Sequence, residues 1–153
     1  MTRETEPPAR PTLTAPIRFE RFPASDHVVL VHGGAGAVPE ASRPAHAAAC
    51  LHAARAGAEV LRAGGTALDA VCAAVRVLED DPLFNAGTGA CLDEAGALAL
   101  DAAVMDGEHL SAGAVACLPA FANPVLIARQ LLEAGGPVLL TDDGARAYAA
   151  AEG

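Results

Sequence analysis

Residues 78–89 read Leu-Glu-Asp-Asp-Pro-Leu-Phe-Asn-Ala-Gly-Thr-Gly, and this stretch decides how the middle of the chain folds. The residues before it carry apolar side chains at helical spacing, from Leu68 to Leu78. Pro82 ends this predicted helix, because the residue before a proline disfavours helical backbone. Residues 83–89 therefore form an apolar loop, and the loop holds Asn85, one of two asparagines in the chain.

Three consecutive acids, Glu79, Asp80 and Asp81, stand where the predicted helix ends. Consecutive helical side chains diverge by about 100°, so these carboxylates do not converge on one ion. We therefore expect a solvated helix end. The loop after Pro82 is a better candidate for cation binding. Its main-chain carbonyls need partners, and carbonyl oxygens suit a hard cation.

The rest of the chain predicts elements in the order β-α-α-β-β-α-β-α. They cover residues 27–31, 43–63, 67–81, 97–104, 112–118, 124–133, 137–141 and 142–153. This order mixes a hairpin with crossover connections. It predicts an α+β fold in which helices cover an antiparallel or mixed sheet.

Polar residues mark the starts of three predicted helices. Thr66 is followed three residues later by Asp69, an arrangement close to a capping box. Asn123 precedes Pro124, which predicts an N-cap followed by a first-turn proline. Asp142 is expected to cap the last helix.

Composition limits the classes of partner and compartment. Five prolines among residues 1–26 indicate a disordered or extended arm, followed by one folded domain at residues 27–153. The net charge of −9 argues against nucleic acids and anionic membranes as partners. No segment reaches the roughly 18 apolar residues that span a bilayer, and the N-terminus lacks the apolar core of a secretory signal. We expect a cytoplasmic protein.

The four cysteines are Cys50, Cys72, Cys91 and Cys117. They have no C-x-x-C pair, so their spacing does not indicate zinc. We expect small buried thiols in a reducing cytosol.

A glycine-rich motif, His-Gly-Gly-Ala-Gly at residues 32–36, follows the first predicted strand. Three glycines in four residues let the backbone adopt positive φ or approach another group closely. A tight turn is one interpretation. A nucleotide phosphate loop is another and weaker one, because no third glycine follows to open a helix.

The chain shows no conventional nucleophile with its base. No serine has the Gly-x-Ser-x-Gly context, and the histidines at 27, 46, 52 and 109 are expected to be structural. Asp101 and Asp106 lie five residues apart along a predicted strand and face opposite sides. We expect Asp106-Gly107 to form a turn and Asp101 to bond a neighbouring loop.

These motifs together resemble plant-type L-asparaginases, which also act as isoaspartyl peptidases and belong to the N-terminal-nucleophile hydrolases. The resemblance covers about residues 27–153 and keeps the family order. Its motifs are His-Gly-Gly-Ala-Gly at 32–36, Asp-Pro-x-Phe-Asn-Ala-Gly at 81–87, Met-Asp-Gly at 105–107, Ser-Ala-Gly-Ala-Val at 111–115, Asn-Pro-x-x-x-Ala-Arg at 123–129 and Leu-Thr-Asp-x-Gly-Ala at 140–145.

The resemblance implies the N-terminal, α-subunit part of an αββα four-layer sandwich that is incomplete without its β subunit or C-terminal segment. It implies an (αβ)2 assembly that hydrolyses small substrates, L-asparagine or β-aspartyl peptides. The nucleophile of such enzymes is a threonine that autoproteolysis makes N-terminal, and its own α-amine serves as the base.

The resemblance also implies roles for individual residues. Asn85 supports the nucleophile, and His32, Gly33 and Gly34 lie beside the autoprocessing site. No organic cofactor is implied. A structural sodium ion is implied, bound by the main-chain carbonyls of Leu78, Glu79, Asp81, Phe84, Ala86 and Thr88.

The family's threonine follows a longer chain than this one, and neither Gly65-Thr66 nor Gly87-Thr88 matches its position. Thr2 would head the N-terminal arm with no supporting site. We therefore expect this chain alone to be inactive. It is a processed subunit, a truncated chain or an inactive remnant that only associates with a partner. Preference for asparagine or for isoaspartyl peptides stays open.

Overall fold

The computed structural model describes residues 26–119 and 121–152. The predicted arm lies outside these residues except for Asp26, and Thr2 lies outside them too. The described elements are α1 (Arg43–Arg62), α2 (Ala67–Asp80), β1 (Leu100–Asp106), β2 (Ser111–Leu118), α3 (Pro124–Ala134), β3 (Leu139–Thr141) and α4 (Asp142–Glu152), with 3-10 turns at Glu40–Ser42 and Gly87–Gly89.

The sheet is mixed, in the strand order β1-β2-β3. Strands β1 and β2 form an antiparallel hairpin in which Val104 lies opposite Gly113. Strand β3 returns through α3 and pairs parallel to β2. The predicted α+β fold with a mixed sheet is confirmed, although β1 begins at Leu100 rather than residue 97, and β3 begins two residues later than predicted.

The core lies between the sheet and helices α3 and α4. Its largest fully buried side chains are Leu118, Ile127, Leu131, Val115, Val125 and Pro124. Helices α1 and α2 pack on each other, and α2 also contacts β1 and α3. This packing brings the end of α2 to the start of α3. None of the described helices is both long and apolar enough to cross a lipid bilayer.

The predicted capping box at α2 is present. The Asp69 N–H donates to Thr66 Oγ1 at 3.1 Å, and the Thr66 N–H donates to Asp69 Oδ2 at 2.9 Å. Arg129 of α3 lies 2.6 Å from Asp69 Oδ1. The Thr66 hydrogen bonds, with help from Arg129, lower the pKa of Asp69 to about 2. Arg129 thus joins α3 to the start of α2.

The predicted strand at residues 27–31 is wrong, because these residues form no strand in the described chain. Their burial still alternates as in a strand. Val29 packs near Gly57 of α1, whereas Val28 is 74% exposed and Leu30 is 93% exposed. A strand needs a neighbour for its backbone donors and acceptors, and β1, β2 and β3 do not pair with this segment.

The prediction of uniformly buried thiols is also wrong. Cys72 is buried and Cys50 half-buried, but Cys91 and Cys117 are exposed. Cys91 lies in the loop between α2 and β1, and Cys117 near the end of β2. Cys91 is exposed because it lies in a loop. Cys117 has a φ of 53° and lies where the β1–β2 register shifts, so Leu118 rather than Cys117 takes the buried position.

Candidate functional site

A cavity of about 500 Å³ opens between the glycine-rich loop and the loop after α2. Residues 32–38 line one side, and Leu78 with residues 83–86 lines the other. His46 of α1 completes the wall. The fold therefore brings the His32–Gly34 turn and Asn85, which are far apart in the sequence, to one cavity.

Gly33 lets the two loops touch. A Cβ built on Gly33 would lie 2.8 Å from Phe84 Cε1 and 2.8 Å from Cys50 Sγ, so no larger residue fits without movement. The Phe84 ring is 5% exposed and meets His46 edge-on, with 5.7 Å between ring centroids. The glycine-rich loop is thus placed by direct contact with a buried aromatic ring.

Gly34 and His32 shape the turn itself. Gly34 has φ of 109°, which L side chains rarely adopt. Its N–H donates to His32 Nδ1 at 3.1 Å, so neutral His32 carries its proton on Nε2. The glycines are followed by a 3-10 turn at Glu40–Ser42 rather than by a helix that starts at the motif. This favours the tight-turn interpretation over a phosphate loop.

Asn85 is anchored by its oxygen. Its Oδ1 accepts the Cys91 N–H at 2.8 Å, which closes the loop on itself. The carboxamide nitrogen has two hydrogens that this contact does not use. The exposed side chain can therefore donate to an acceptor placed in the cavity.

The main chain after α2 turns tightly and presents its oxygens inward. Phe84 N–H donates to Asp81 O at 3.2 Å, and Ala86 N–H donates to Phe84 O at 2.8 Å. A carbonyl oxygen has two lone pairs, so each acceptor keeps one for another partner. The loop is hydrogen-bonded without exhausting its carbonyls.

Two glycines let these carbonyls gather. A Cβ on Gly87, whose φ is 48°, would lie 2.5 Å from Glu79 O. A Cβ on Gly89 would lie 2.7 Å from Pro82 O and would also collide with Phe84 O. Main-chain oxygens therefore lie directly against both glycines, and a Cβ at either position would displace them. Carbonyl oxygens are ligands that a hard cation prefers.

Metal-binding side chains do not form a cluster comparable to these main-chain oxygens among the described residues. The described residues contain no group of three or more His, Cys, Asp or Glu that could hold a metal ion. Asp81 Oδ1 accepts the Leu83 N–H at 3.0 Å and so supports the turn. Any cation in this loop would depend on the main chain.

Glu79 contradicts the predicted solvated helix end, because its side chain is only 2% exposed. Its Oε1 accepts the Val125 N–H at 3.1 Å, and within the described chain its Oε2 has no hydrogen-bond partner. Burial raises the pKa of Glu79 to about 7, against the lowering effect of the Val125 hydrogen bond. The burial of the Glu79 side chain was not predicted from the sequence, although Glu79 continues the apolar stripe of Cys72 and Val75 at helical spacing.

The predicted side-chain cap of Asn123 is wrong for a related reason. Asn123 makes no capping hydrogen bond in α3. Its Nδ2 instead donates to Asp80 Oδ1 at 2.9 Å, across from the end of α2. Glu79 from α2 therefore satisfies an N–H of the α3 first turn, and the Asn123 side chain is free to join the two helices.

Asp106 forms the turn predicted for it, whereas Asp101 bonds the adjacent strand rather than the predicted neighbouring loop. Asp101 Oδ1 accepts the Cys117 N–H at 2.9 Å from the adjacent strand. Asp106 accepts the Glu108 N–H at 3.0 Å and lies 2.6 Å from His109 Nδ1 in the hairpin turn. Asp101 also lines a smaller cavity of about 230 Å³, with Glu79 and Asn85.

The sequence of the chain is similar to that of known proteins. The family model described as "Asparaginase" matches residues 25–153. The chain is 46% identical to the Isoaspartyl peptidase/L-asparaginase of Bos taurus over 127 residues, covering 82% of this chain and 41% of that protein. The human Isoaspartyl peptidase/L-asparaginase gives the same identity and the same coverage.

A bacterial relative supports the same grouping. The Isoaspartyl peptidase of Salmonella typhimurium is 43% identical over 131 residues, covering 82% of this chain and 42% of that protein. The chain thus spans about two fifths of the length of these relatives. With the family match over residues 25–153 and these identities, the chain belongs to the asparaginase family that includes the isoaspartyl peptidases.

Proposed function

We propose that the chain is the N-terminal part of an amidohydrolase that cleaves the side-chain amide of L-asparagine, the β-aspartyl bond of isoaspartyl peptides, or both. An N-terminal threonine from a segment outside the chain is its nucleophile. The single observation that carries the proposal is the cavity where the His32–Gly34 turn meets Asn85. The names of the relatives support the reaction class.

In the proposed reaction the threonine hydroxyl attacks the amide carbon and its α-amine takes the proton. An α-amino pKa of about 8 suits this task. The C–N bond then breaks, and the leaving ammonia or peptide amine takes that proton. Water hydrolyses the resulting ester, which releases aspartate or an aspartyl product. Asn85, held through its oxygen by Cys91, donates from Nδ2 to the threonine oxygen.

We propose further that the second segment completes a four-layer αββα sandwich and that two such units form an (αβ)2 assembly. Apolar side chains support this, because Val28, Leu30 and Leu139 are 74%, 93% and 52% exposed. Large exposed apolar patches are unusual in a monomer. A strand from the second segment would pair with Val28–Val31, and the layer that carries it would cover the exposed side chains of Val28 and Leu30.

The proposed compartment is the cytoplasm. Cys91 and Cys117 are free and exposed. Exposed free thiols persist in a reducing compartment.

Hydrolase activity tests the proposal directly. The purified chain should not hydrolyse L-asparagine or a β-aspartyl dipeptide by itself, and it should bind a hydrophobic dye. The chain isolated from its native cells should carry a second chain that begins with threonine, and this complex should hydrolyse at least one of the substrates.

Two results would contradict the assignment. Turnover by the chain alone that is lost on Thr2→Ala would make Thr2 the nucleophile. A compact, dye-negative monomer without a partner in sedimentation at micromolar concentration would indicate a remnant that closes its own core.

A sodium ion is the second part of the proposal. The carbonyls of Leu78, Glu79, Asp81, Phe84, Ala86 and Thr88 would hold it. The ion would supply positive charge that keeps the loop, and with it Asn85, in place. The crowding of Glu79 O and Phe84 O against Gly87 and Gly89 supports this donor set.

Sodium is expected to raise the melting temperature more than tetramethylammonium at equal ionic strength. At 100 times its Kd, a ligand of the native state adds about 2.7 kcal/mol. This corresponds to roughly 5 to 10 °C for a protein of this size. Gly89→Ala should abolish the difference by displacing Phe84 O, whereas Asp80→Asn should keep it. Equal melting temperatures in both salts would count against a specific site.

A further inference from the structure

The side chain of Glu79 lies where α2 meets α3, and it has no role in the proposed reaction. It lies in the last turn of α2, immediately before the loop that carries Asn85. Its carboxylate points away from solvent and accepts the Val125 N–H at 3.1 Å, although 46 residues separate the two. A side chain at the end of one helix therefore satisfies a donor in the first turn of another.

The contact suits the chemistry of a helix start. The first N–H groups of a helix have no partner within the helix, and the dipole there favours a negative group. Asn123, the residue before α3, does not provide a side-chain cap. The neighbouring Asp80 receives the Asn123 amide at 2.9 Å. Two consecutive residues of α2 thus hold two residues at the start of α3.

The main chain of Glu79 contacts the returning loop. A Cβ on Gly87 would lie 2.5 Å from Glu79 O, 2.9 Å from Glu79 Cβ and 3.0 Å from Ala122 O. Gly87 therefore sits between the end of α2 and the residues that lead into α3. A change in the relative position of the two helices would move this loop.

We propose that Glu79 is a positioning residue whose carboxylate fixes the end of α2 on the start of α3 and thereby holds the loop of residues 81–89, with Asn85, in its working conformation. The catalytic meaning of this placement rests on the proposed function. The placement itself does not, because it concerns contacts within the chain.

The two carboxylate oxygens of Glu79 differ in their contacts. Oε1 accepts the Val125 N–H, whereas within the described chain Oε2 is buried without a hydrogen-bond partner. An apolar side chain of similar size would remove the cost of burying Oε2 but would leave the buried Val125 N–H without its acceptor. The positioning role therefore requires the Oε1 acceptor opposite Val125.

Hydrogen exchange in sodium-free buffer tests the proposal. The probes are the amides of Phe84 and Ala86 in the loop and the amide of Cys91, which donates to Asn85, with Ala53 of α1 as an internal reference. Glu79→Leu removes the acceptor and is expected to speed loop exchange at least about tenfold while Ala53 changes less than about twofold. Glu79→Gln keeps an oxygen opposite Val125 and should stay near the parent protein.

Asp80→Asn is the matched control, because Asp80 is exposed and asparagine keeps an Oδ1 acceptor; it should leave the loop amides unchanged. If Glu79→Leu does not fold, Glu79→Asp gives the same test, since its shorter carboxylate cannot span the distance to Val125. Equal acceleration at the loop and at Ala53, or no acceleration at either, would overturn the proposal.

The exchange measurement needs neither substrate nor cation. Selective loosening of the loop in a protein that proves inactive would support the positioning role and refute the hydrolase. Turnover by the assembled enzyme, together with unchanged loop exchange in Glu79→Leu, would support the hydrolase and refute the positioning role.

Discussion

Gly113→Ala is expected to lower the melting temperature by roughly 6 to 12 °C. Gly113 lies in β2 under α3, where a Cβ would lie 2.5 Å from Leu132 N and would also collide with Ala128 O. Both obstacles are backbone atoms, so they cannot rotate aside. The whole helix must move away from the sheet, which places the loss near the upper end of overpacking effects, about 3 kcal/mol.

Gly107→Ala is the matched control for this substitution. Gly107 follows β1 in the hairpin turn, and a Cβ there meets no atom within 4 Å. Its effect should stay within about 0.5 kcal/mol, as for most surface changes. Thermal unfolding followed by circular dichroism measures both. Similar melting temperatures for the two variants would show that α3 is less tightly seated on β2 than the structure indicates.

If the proposed amidohydrolase function holds, Asn85→Asp is expected to lower kcat of the assembled enzyme by about 100-fold, a loss typical for removal of one active-site donor. Aspartate keeps an oxygen for the Cys91 N–H, so the loop should remain closed. It has no Nδ2 hydrogens and therefore cannot donate to the threonine oxygen. The substitution separates the donor role of Asn85 from its role in loop closure.

Asn85→Ala removes both roles and gives the comparison. It should lose as much activity as Asn85→Asp and should also speed hydrogen exchange at the Cys91 amide, whose acceptor is gone. Steady-state kinetics with a β-aspartyl dipeptide and exchange at Cys91 provide the two readouts. Full activity in Asn85→Asp would mean that the carboxamide nitrogen does not contact the nucleophile.

Features that depend on near neighbours in the chain were predictable from the sequence. The capping box of Thr66 and Asp69 joins residues three apart, and the Asp106 turn joins residues two and three apart. The α+β class also followed, whereas the choice between an antiparallel and a mixed sheet was left to the structure, which pairs β3 parallel to β2. The cap and turn contacts depend on the local backbone, and the packing of this chain leaves both in place.

The residues of the candidate site were predictable only through the resemblance of their motifs to a known family. The motifs around His32 and Asn85 could be matched to a family, but nothing local to either motif requires them to meet. Their meeting depends on Gly33 lying against the Phe84 ring, with 2.8 Å from a Cβ on Gly33 to Phe84 Cε1. That is a packing contact between distant segments, and residue patterns do not encode its geometry.

The sequence by itself determined the helices, the hairpin, the family and the presence of a tight acidic-to-apolar loop, since these depend on periodicity, turn residues and short motifs. Only the tertiary structure decided what happens where elements meet. Asn123 has the residue type of an N-cap, yet Glu79 accepts the Val125 N–H because packing of α2 on α3 buries its carboxylate there. Residues 27–31 have the pattern of a strand, yet they form none in the described chain, because β1, β2 and β3 do not pair with them. In both cases backbone hydrogen-bonding groups take the partner that packing brings within reach, whatever the local residue type predicts.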